Sequence, residues 1–153
     1  MDIEEQYDKI YRYCYFKMYD DQIAQDITQE TFLRFCKQGL NLGSDKELPY
    51  LYTIAKNLCI DHFRKNPVES VEEMAEDATH DPTEGWINHL TLRMTISKLP
   101  GDERELIFLR YVNEISIATI CKITGLSRFA VYRRLSKSLK WLKEELKKEG
   151  FSE

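Results

Sequence analysis

The side chains best suited to a chemical role lie between residues 127 and 140, where basic groups recur at helical spacing. Guanidinium and ammonium groups bind phosphates, and Arg, Ser and aromatic side chains can contact base edges in a DNA major groove. The residues that share one predicted helix face are Arg128, Tyr132, Arg133, Arg134, Ser136, Lys137 and Lys140. This pattern indicates nucleic-acid binding, and the alternative that stays open is a solvated basic face on a packed helical hairpin.

The elements that would position these side chains form a predicted helix-turn-helix. Ser116 is suited to cap a short first helix, and Gly125 to end it in the left-handed conformation that glycine adopts without strain. Ser127 can then cap a second helix. The buried side of that helix is predicted from apolar residues at spacings of three and four, namely Val131, Leu135, Leu139, Leu142 and Leu146. In DNA-binding proteins such a second helix enters the major groove.

The charge distribution supports this interpretation, although the whole chain of 153 residues carries a formal net charge of -4. Residues 1–65 hold 9 basic and 11 acidic side chains, residues 66–88 hold 7 acids and no Lys or Arg, and residues 89–153 hold 13 bases and 8 acids. The three segments therefore carry -2, -7 and +5. Because the local field decides where DNA docks, the basic C-terminal segment is compatible with nucleic-acid binding.

Hydrophobic spacing predicts helices throughout the N-terminal part. A first helix covers residues 2–19, and its inward positions are predicted as Ile3, Tyr7, Ile10, Cys14, Tyr15 and Met18. A second helix begins near Asp20 or Asp21 and stops at Gly39, since glycine favours helix C-termini. Residues 40–47 are predicted as a loop.

A third helix is predicted to begin with Pro49 in its first turn and to end before Pro67. Its inward positions are predicted as Leu51, Ile54, Leu58, Cys59 and His62. The rings of Tyr50 and Tyr52 could stack on bases, but their spacing relative to the apolar positions favours a place in the core.

Residues 66–81 are rich in acids and poor in apolar groups, which is typical of a flexible linker. After the linker, a helix is predicted to begin at Pro82, and its core-facing side chains are predicted as Ile87, Leu90 and Met94. After a break at LPGDE, a helix from about Asp102 to Val112 is predicted to bury Leu106, Leu109 and Val112. The sequence thus predicts an all-α fold with two small helical domains, residues 1–65 and 82–149, joined by the acidic linker.

Composition narrows the function classes. Hydrophobic residues make up 42% and charged residues 31% of the chain, and the N-terminal residues are acidic and polar, so a cytoplasmic protein is expected. The cysteines stand far apart without a CxxC pair, at Cys14, Cys36, Cys59 and Cys121. Neither a metal site nor a cofactor is expected from this spacing. No motif of known catalytic mechanics is present, and the chain is not expected to be an enzyme.

Two separated stretches resemble one family, the sigma factors of bacterial RNA polymerase, in particular the small extracytoplasmic-function (ECF) type that keeps regions 2 and 4. AQDITQETFLRF (24–35) and PYLYTIAKNLCIDHFRK (49–65) are similar to region 2 motifs of this family. LPGDERELIFLRYVNEISIATICKITGLSRFAVYRRLSKSLKWL (99–142) looks like region 4. The two motifs occur in the family's order and cover most of the chain.

The resemblance implies three binding surfaces. In the family, the helix of region 2.2 docks on the largest subunit of core RNA polymerase, and the matching positions are Asp26, Gln29, Glu30, Thr31 and Arg34. The following helix captures the non-template strand of the -10 element, and the matching positions are Lys56, Asn57, Asp61, Arg64 and Lys65. Among these, Asp61 is expected to orient neighbouring basic side chains rather than to read sequence.

Region 4 resemblance implies that the second helix of the helix-turn-helix reads the -35 element. Base contacts are expected from Arg128, Phe129, Tyr132, Arg133 and Ser136, phosphate contacts from Arg134, Lys137 and Lys140, and Ser127 opens the helix within the interface. Phe129 and Tyr132 depart from the commonest family pattern. Bulky rings at these positions favour apolar contact with thymine methyl groups over hydrogen bonds.

The function that follows is that of an ECF-type sigma factor, which binds core RNA polymerase and promoter DNA and starts transcription from -35 and -10 elements. A cognate anti-sigma factor is implied by the resemblance alone. A stand-alone helix-turn-helix regulator that binds operator DNA as a dimer is the main alternative. A protein that binds polymerase without opening DNA is a further one. The acidic linker could imitate nucleic acid in a positively charged channel or serve as a plain tether.

Overall fold

The computed structural model describes residues 3–38, 44–66, 92–148 and 150. The chain divides into two compact units, Met1–Ala78 and Thr79–Glu153. Every regular element within the described residues is helical, which confirms the predicted all-α class. Apart from Asn66, the predicted linker lies outside the described residues.

Three mutually packed helices build the N-terminal unit: α1 (Ile3–Met18), α2 (Asp21–Lys37) and α3 (Ser44–Lys65). Asp20 caps α2, and its carboxylate accepts a hydrogen bond of 3.0 Å from the Ile23 backbone N–H. The fully buried side chains at the centre of this unit include Ile10, Cys14, Thr28, Thr31, Leu51 and Tyr52. The Tyr13 and Tyr52 rings meet edge to face with their centroids 5.2 Å apart, so aromatic packing joins α1 to α3.

A hydrogen bond ties α1 to the first turn of α2. The Tyr11 hydroxyl donates to the Asp21 carboxylate. Partial burial, followed by this hydrogen bond and the negative charge of Asp21, raises the pKa of Tyr11 to about 12. The hydroxyl therefore keeps its proton, and the two helices keep this contact, throughout the neutral pH range.

The inward face of α1 differs from the prediction at its ends. Ile3 is 70% exposed, because the neighbouring helices do not cover this terminal turn, and Tyr15 is only half-buried. Tyr13, which the prediction left out, is buried. The core side of α1 is therefore centred on Ile10 and Cys14, with Tyr13 beside them rather than Tyr15.

The third helix starts earlier than predicted. Residues 44–47 are helical rather than loop, and Pro49 is the sixth residue of α3 instead of lying in its first turn. A proline there removes one backbone hydrogen bond. Tertiary contacts hold the segment in the helix nonetheless, since Leu48 is buried and the Tyr50 ring packs 5.9 Å from the Phe35 ring of α2.

The C-terminal unit contains a helical segment at residues 92–97, here α4, followed by α5 (Gly101–Ile107), a π-helical turn (Phe108–Val112), α6 (Ile117–Thr124) and α7 (Arg128–Lys148). The predicted break at LPGDE is confirmed, because residues 98–100 are not helical. The side chains that close the core are Leu99, Leu106, Leu109, Ile115, Ile120, Val131 and Leu135. Both α5 and α6 pack against α7.

Two predicted core positions of this unit are wrong. Met94 is 45% exposed, and its neighbour Thr95 is buried instead. Val112 is 48% exposed, because the backbone N–H of Asn113 bonds to the Phe108 carbonyl at 3.0 Å, five residues back. The wider turn rotates the chain beyond the register of an α-helix, which turns Val112 outward and Asn113 inward. The positions predicted at Ile87 and Leu90 lie outside the described residues.

Candidate nucleic-acid interface

The turn between α6 and α7 satisfies its own backbone groups. The Ser116 hydroxyl accepts a hydrogen bond of 3.2 Å from Thr119 N–H, and the Ser127 hydroxyl accepts one of 3.1 Å from Ala130 N–H. Between them, Gly125 adopts φ 78° and donates its N–H to the Cys121 carbonyl at 2.8 Å. The predicted caps and turn are confirmed, and local hydrogen bonds fix how α7 leaves α6.

Replacing Gly125 by Ala should lower the stability of the C-terminal unit by roughly 1–2 kcal/mol, because an L residue is strained at positive φ. A Cβ at this position meets no atom within 4 Å, so the effect isolates backbone strain from steric clash. Thermal unfolding followed by Trp141 fluorescence measures it. Gly101→Ala is the control, since Gly101 begins α5 and its added Cβ would lie 3.5 Å from Arg104. Equal melting temperatures for the two variants would show that Gly125 is not needed for its positive φ.

Helix α7 has one buried and one exposed side. Val131, Leu135 and Leu142 are buried, and Leu139 and Leu146 are half-buried, which confirms the predicted apolar stripe. The exposed side carries all but one of the side chains predicted to face DNA: Ser127, Arg128, Phe129, Tyr132, Arg133, Ser136, Lys137 and Lys140. These groups thus lie on one face, in the part of α7 that follows the turn.

Two aromatic rings stand in solvent on this face. Phe129 is 74% exposed and Tyr132 is 54% exposed, although rings of this size usually contribute to a core. The Arg133 guanidinium carbon lies 5.7 Å from the centroid of the Phe129 ring, which is within the range of a cation–π contact. Basic and apolar groups therefore alternate on the surface, as a face that contacts both phosphates and base edges requires.

Arg134 occupies a different position from the other predicted DNA contacts on α7. Its side chain is 35% exposed, and its Nη1 lies 3.9 Å from the Glu103 carboxylate of α5. An ion pair that water reaches is worth about 1 kcal/mol or less. Arg134 thus lies beside the exposed face, not on it. There, the Glu103 carboxylate competes with any phosphate for the Arg134 guanidinium. No sequence signal connects Glu103 to Arg134, because the pair forms only when α5 packs on α7.

In the N-terminal unit, α2 exposes a polar face of mixed charge. Asp26, Gln29, Glu30 and Arg34 lie on it, and Arg34 Nε donates to Glu30 at 2.9 Å. Thr31, which was assigned to the same face, is fully buried, and its hydroxyl donates to the Ile27 carbonyl at 2.7 Å. That assignment is corrected: Thr31 contributes to the core and cannot reach a partner through its side chain.

Helix α3 exposes the side chains predicted to face the -10 element, which are Lys56, Asn57, Asp61, Arg64 and Lys65. Asp61 lies 3.8 Å from Arg64 Nη1, in a position to orient that guanidinium. Tyr52 is 1% exposed, so it belongs to the core and is not available for base stacking. Tyr50 is half-buried, between the Phe35 ring and the Gln38 side chain.

A cleft of about 260 Å³ between α2 and α3 brings the two predicted surfaces of this unit together. Glu30 and Arg34 line it from α2, and Asp61 and Lys65 line it from α3. His62 also lines the cleft, although it was predicted to point into the core. The residues assigned to polymerase and to the -10 element thus share one continuous edge of the unit.

In the part of the chain that the structure describes, no three His, Cys, Asp or Glu side chains are placed so that they could hold a metal ion. In the same ranges, no helix combines the length and the apolarity needed to cross a bilayer. The arrangement offers polar, basic and aromatic contact surfaces.

Comparison with protein families identifies both units. Residues 3–67 match Sigma-70 region 2, and residues 89–142 match Sigma-70 region 4. Together these matches cover most of the chain and define its class as a sigma-70-type protein. The order of the two regions agrees with the resemblance found in the motifs.

Individual relatives narrow the class further. The chain is 30% identical over 160 residues to the ECF RNA polymerase sigma factor SigW of Bacillus subtilis, covering 92% of this chain and 84% of SigW. It is 29% identical over 139 residues to the ECF RNA polymerase sigma factor BldN of Streptomyces coelicolor, covering 81% of this chain and 51% of BldN. It therefore spans about half the length of BldN and most of SigW. The chain belongs to the ECF RNA polymerase sigma factor family.

A solved structure supports the fold. The sigma factor RpoE of Bartonella quintana, in complex with the anti-sigma factor NepR, superimposes with a TM-score of 0.70 at 23% sequence identity. The alignment covers 93% of this chain and 92% of RpoE. The helical architecture is therefore shared with a sigma factor of known structure.

Proposed function

We propose that this protein binds core RNA polymerase and directs promoter-specific initiation, with α7 at the -35 element and α3 at the -10 element. The observation that carries the proposal is the exposed basic and aromatic face of α7 on a locally capped helix-turn-helix, in a chain that also holds a region 2 unit. DNA binding at two sites needs both units, and each presents exposed basic side chains. We further infer that the protein works in the cytoplasm, where RNA polymerase is, and catalyses no reaction of its own.

The -35 contacts proposed on α7 and its cap are Ser127, Arg128, Phe129, Tyr132, Arg133, Arg134, Ser136, Lys137 and Lys140, and the -10 contacts on α3 are Lys56, Asn57, Asp61, Arg64 and Lys65. Four exposed α2 residues, Asp26, Gln29, Glu30 and Arg34, are proposed to face the polymerase. An anti-sigma factor is proposed as a further partner, as the complex of RpoE with NepR supports.

Run-off transcription tests the function. Purified core polymerase is supplied with the DNA upstream of this protein's own gene, with and without the protein. Specific transcripts only in its presence support a sigma factor. A salt-sensitive shift of the same DNA by the protein alone, without transcripts, would favour the operator-binding regulator. Binding to polymerase without transcripts would select a protein that does not open DNA.

Replacing Gln29 and Glu30 together by Ala should weaken binding to core polymerase by roughly thirtyfold, because each of the two polar contacts contributes about 1 kcal/mol at an interface. Fluorescence-detected titration of labelled protein with core polymerase measures the change. Glu5→Ala is a matched control, since Glu5 is an exposed acid that also pairs with a basic residue four positions away, Lys9 at 3.3 Å, on α1 outside the proposed surface. An unaltered affinity of the double variant would remove these residues from the polymerase surface.

A further inference from the structure

Phe129 and Arg133 form an exposed contact on α7 that the basic charge of the helix alone does not explain. Phe129 is 74% exposed in the first turn of the helix, although removing such a ring from water is favourable. The Arg133 guanidinium lies over this ring, 5.7 Å from its centroid. The two residues are four positions apart, so they are neighbours on the helix surface. They form one composite group in the absence of DNA.

Stacking on the ring prepares Arg133 for a base contact. A free arginine loses rotamer entropy when it is fixed, and a guanidinium already held by a neighbour loses less on binding. The neighbouring Arg134 is held differently, with its Nη1 3.9 Å from a Glu103 carboxylate oxygen. Adjacent arginines are thus directed by different partners: a ring that leaves the donors of Arg133 available, and a carboxylate whose charge attracts Arg134.

On the basis of the proposed function, we propose that Phe129 and Arg133 act as one unit that selects a thymine close to a guanine in the -35 element. Phe129 contacts the C5 methyl group of the thymine. Arg133 donates two hydrogen bonds to O6 and N7 of the guanine, with its guanidinium positioned by the ring.

Helix geometry sets the spacing between the two bases. Four residues advance about 6 Å along an α-helix, and successive base pairs advance about 3.4 Å along one strand. A helix that follows the groove therefore places the ring and the guanidinium within two base-pair steps of each other. Thymine is the base with a major-groove methyl, and guanine is the base that offers two acceptors to one arginine. The pair consequently reads both identity and spacing.

Selection from a randomised -35 library tests the proposal. Double-stranded promoter DNA with seven randomised base pairs at the -35 position is bound by holoenzyme made from core polymerase and the full chain, and the retained DNA is sequenced. Wild-type protein is expected to enrich thymine within two steps of guanine. Arg133→Ala should reduce the guanine preference roughly tenfold or more. Phe129→Ala should reduce both preferences, because the ring contacts one base and positions the group that reads the other.

Two conservative variants separate contact from positioning. Phe129→Leu keeps an apolar group for the methyl but has no π face, so it should retain the thymine preference and weaken the guanine preference. Phe129→Tyr keeps the ring and should retain both. Tyr132→Ala removes the adjacent exposed ring, and the coupling between thymine and guanine should survive it.

Removing one methyl group from the DNA tests the thymine contact most directly. Replacing the selected thymine by uracil deletes the methyl group and should weaken wild-type binding about fourfold, but leave Phe129→Ala binding unchanged. Equal effects of uracil on both proteins would overturn the thymine contact, and a guanine preference that persists in Phe129→Leu would overturn the positioning role. Holoenzyme that selects DNA regardless of these variants refutes this inference and leaves the proposed function standing. If adding the protein to polymerase enriches no sequence at all, the proposed function fails as well.

Discussion

Replacing Tyr52 by Ala is expected to destabilise the N-terminal unit by about 3–5 kcal/mol, as removal of a fully buried aromatic ring does in other cores. Tyr52 is 1% exposed, and its ring meets Tyr13 edge to face at 5.2 Å. The substitution would leave a cavity where α1 meets α3, since Tyr13 and Tyr52 are both buried there. A loss of this size is a large fraction of the stability of a small domain.

Denaturant titration with two optical signals localises the effect. Trp141 lies on α7 of the C-terminal unit, so in a Trp86→Phe background the tryptophan fluorescence reports that unit alone. Circular dichroism reports the helices of both units. For Tyr52→Ala we expect the helical signal to lose an early component while the fluorescence transition stays in place. Tyr50→Ala is the control, because Tyr50 is half-buried and should cause a smaller loss.

Unchanged stability of Tyr52→Ala, together with weaker binding to -10 DNA, would contradict the packing assignment. That result would return Tyr52 to the role of a base-stacking residue. The measurement therefore decides between the two interpretations that the sequence left open, by a route independent of the burial seen in the structure.

Replacing Lys137 and Lys140 together by Ala should weaken DNA binding about 100-fold, irrespective of the promoter sequence. Both lysines are exposed on the side of α7 that is proposed to face DNA. A charged hydrogen bond to a phosphate contributes about 1.5 kcal/mol or more, roughly tenfold for each contact. Since each contact also releases a counterion, the negative slope of log K against log salt should become less steep by about 1.8.

Binding of holoenzyme to promoter DNA at several salt concentrations checks both quantities. Lys148→Ala is the matched control, because Lys148 is an exposed lysine at the other end of α7 and pairs with Glu145 at 3.1 Å. It should change neither affinity nor slope. If the double variant lost affinity for some promoter sequences and not for others, the two lysines would be base contacts instead of phosphate contacts.

The helix-turn-helix was predictable because its signals are local. Ser116, Gly125 and Ser127 act on backbone groups within four residues, so their roles follow from residue type and spacing alone. The exposed face of α7 followed from the same periodicity that identified its buried stripe. Membership of the sigma factor family was likewise predictable, because each of its motifs is a continuous stretch of the chain.

What the sequence did not predict depends on contacts between distant segments. The early start of α3 arises from burial of Leu48, which outweighs the lost hydrogen bond at Pro49. Val112 was assigned to the core from an α-helical period, and the π-helical turn changes that period. Thr31 was assigned to the polymerase surface by the family resemblance, but a threonine that bonds to the carbonyl four residues back can be buried without an unsatisfied hydroxyl.

The separation of the two sides of α7 has a consequence for how such a protein can diverge. Phe129, Tyr132 and Arg133 are exposed, whereas Val131 and Leu135 hold the helix in the unit. Substitutions at exposed positions away from special features usually change stability by less than about 0.5 kcal/mol. On the proposed role of these positions, a duplicated gene can therefore change its promoter preference there without passing through unfolded intermediates. The capped turn between α6 and α7 would stay unchanged while the set of recognised promoters changes.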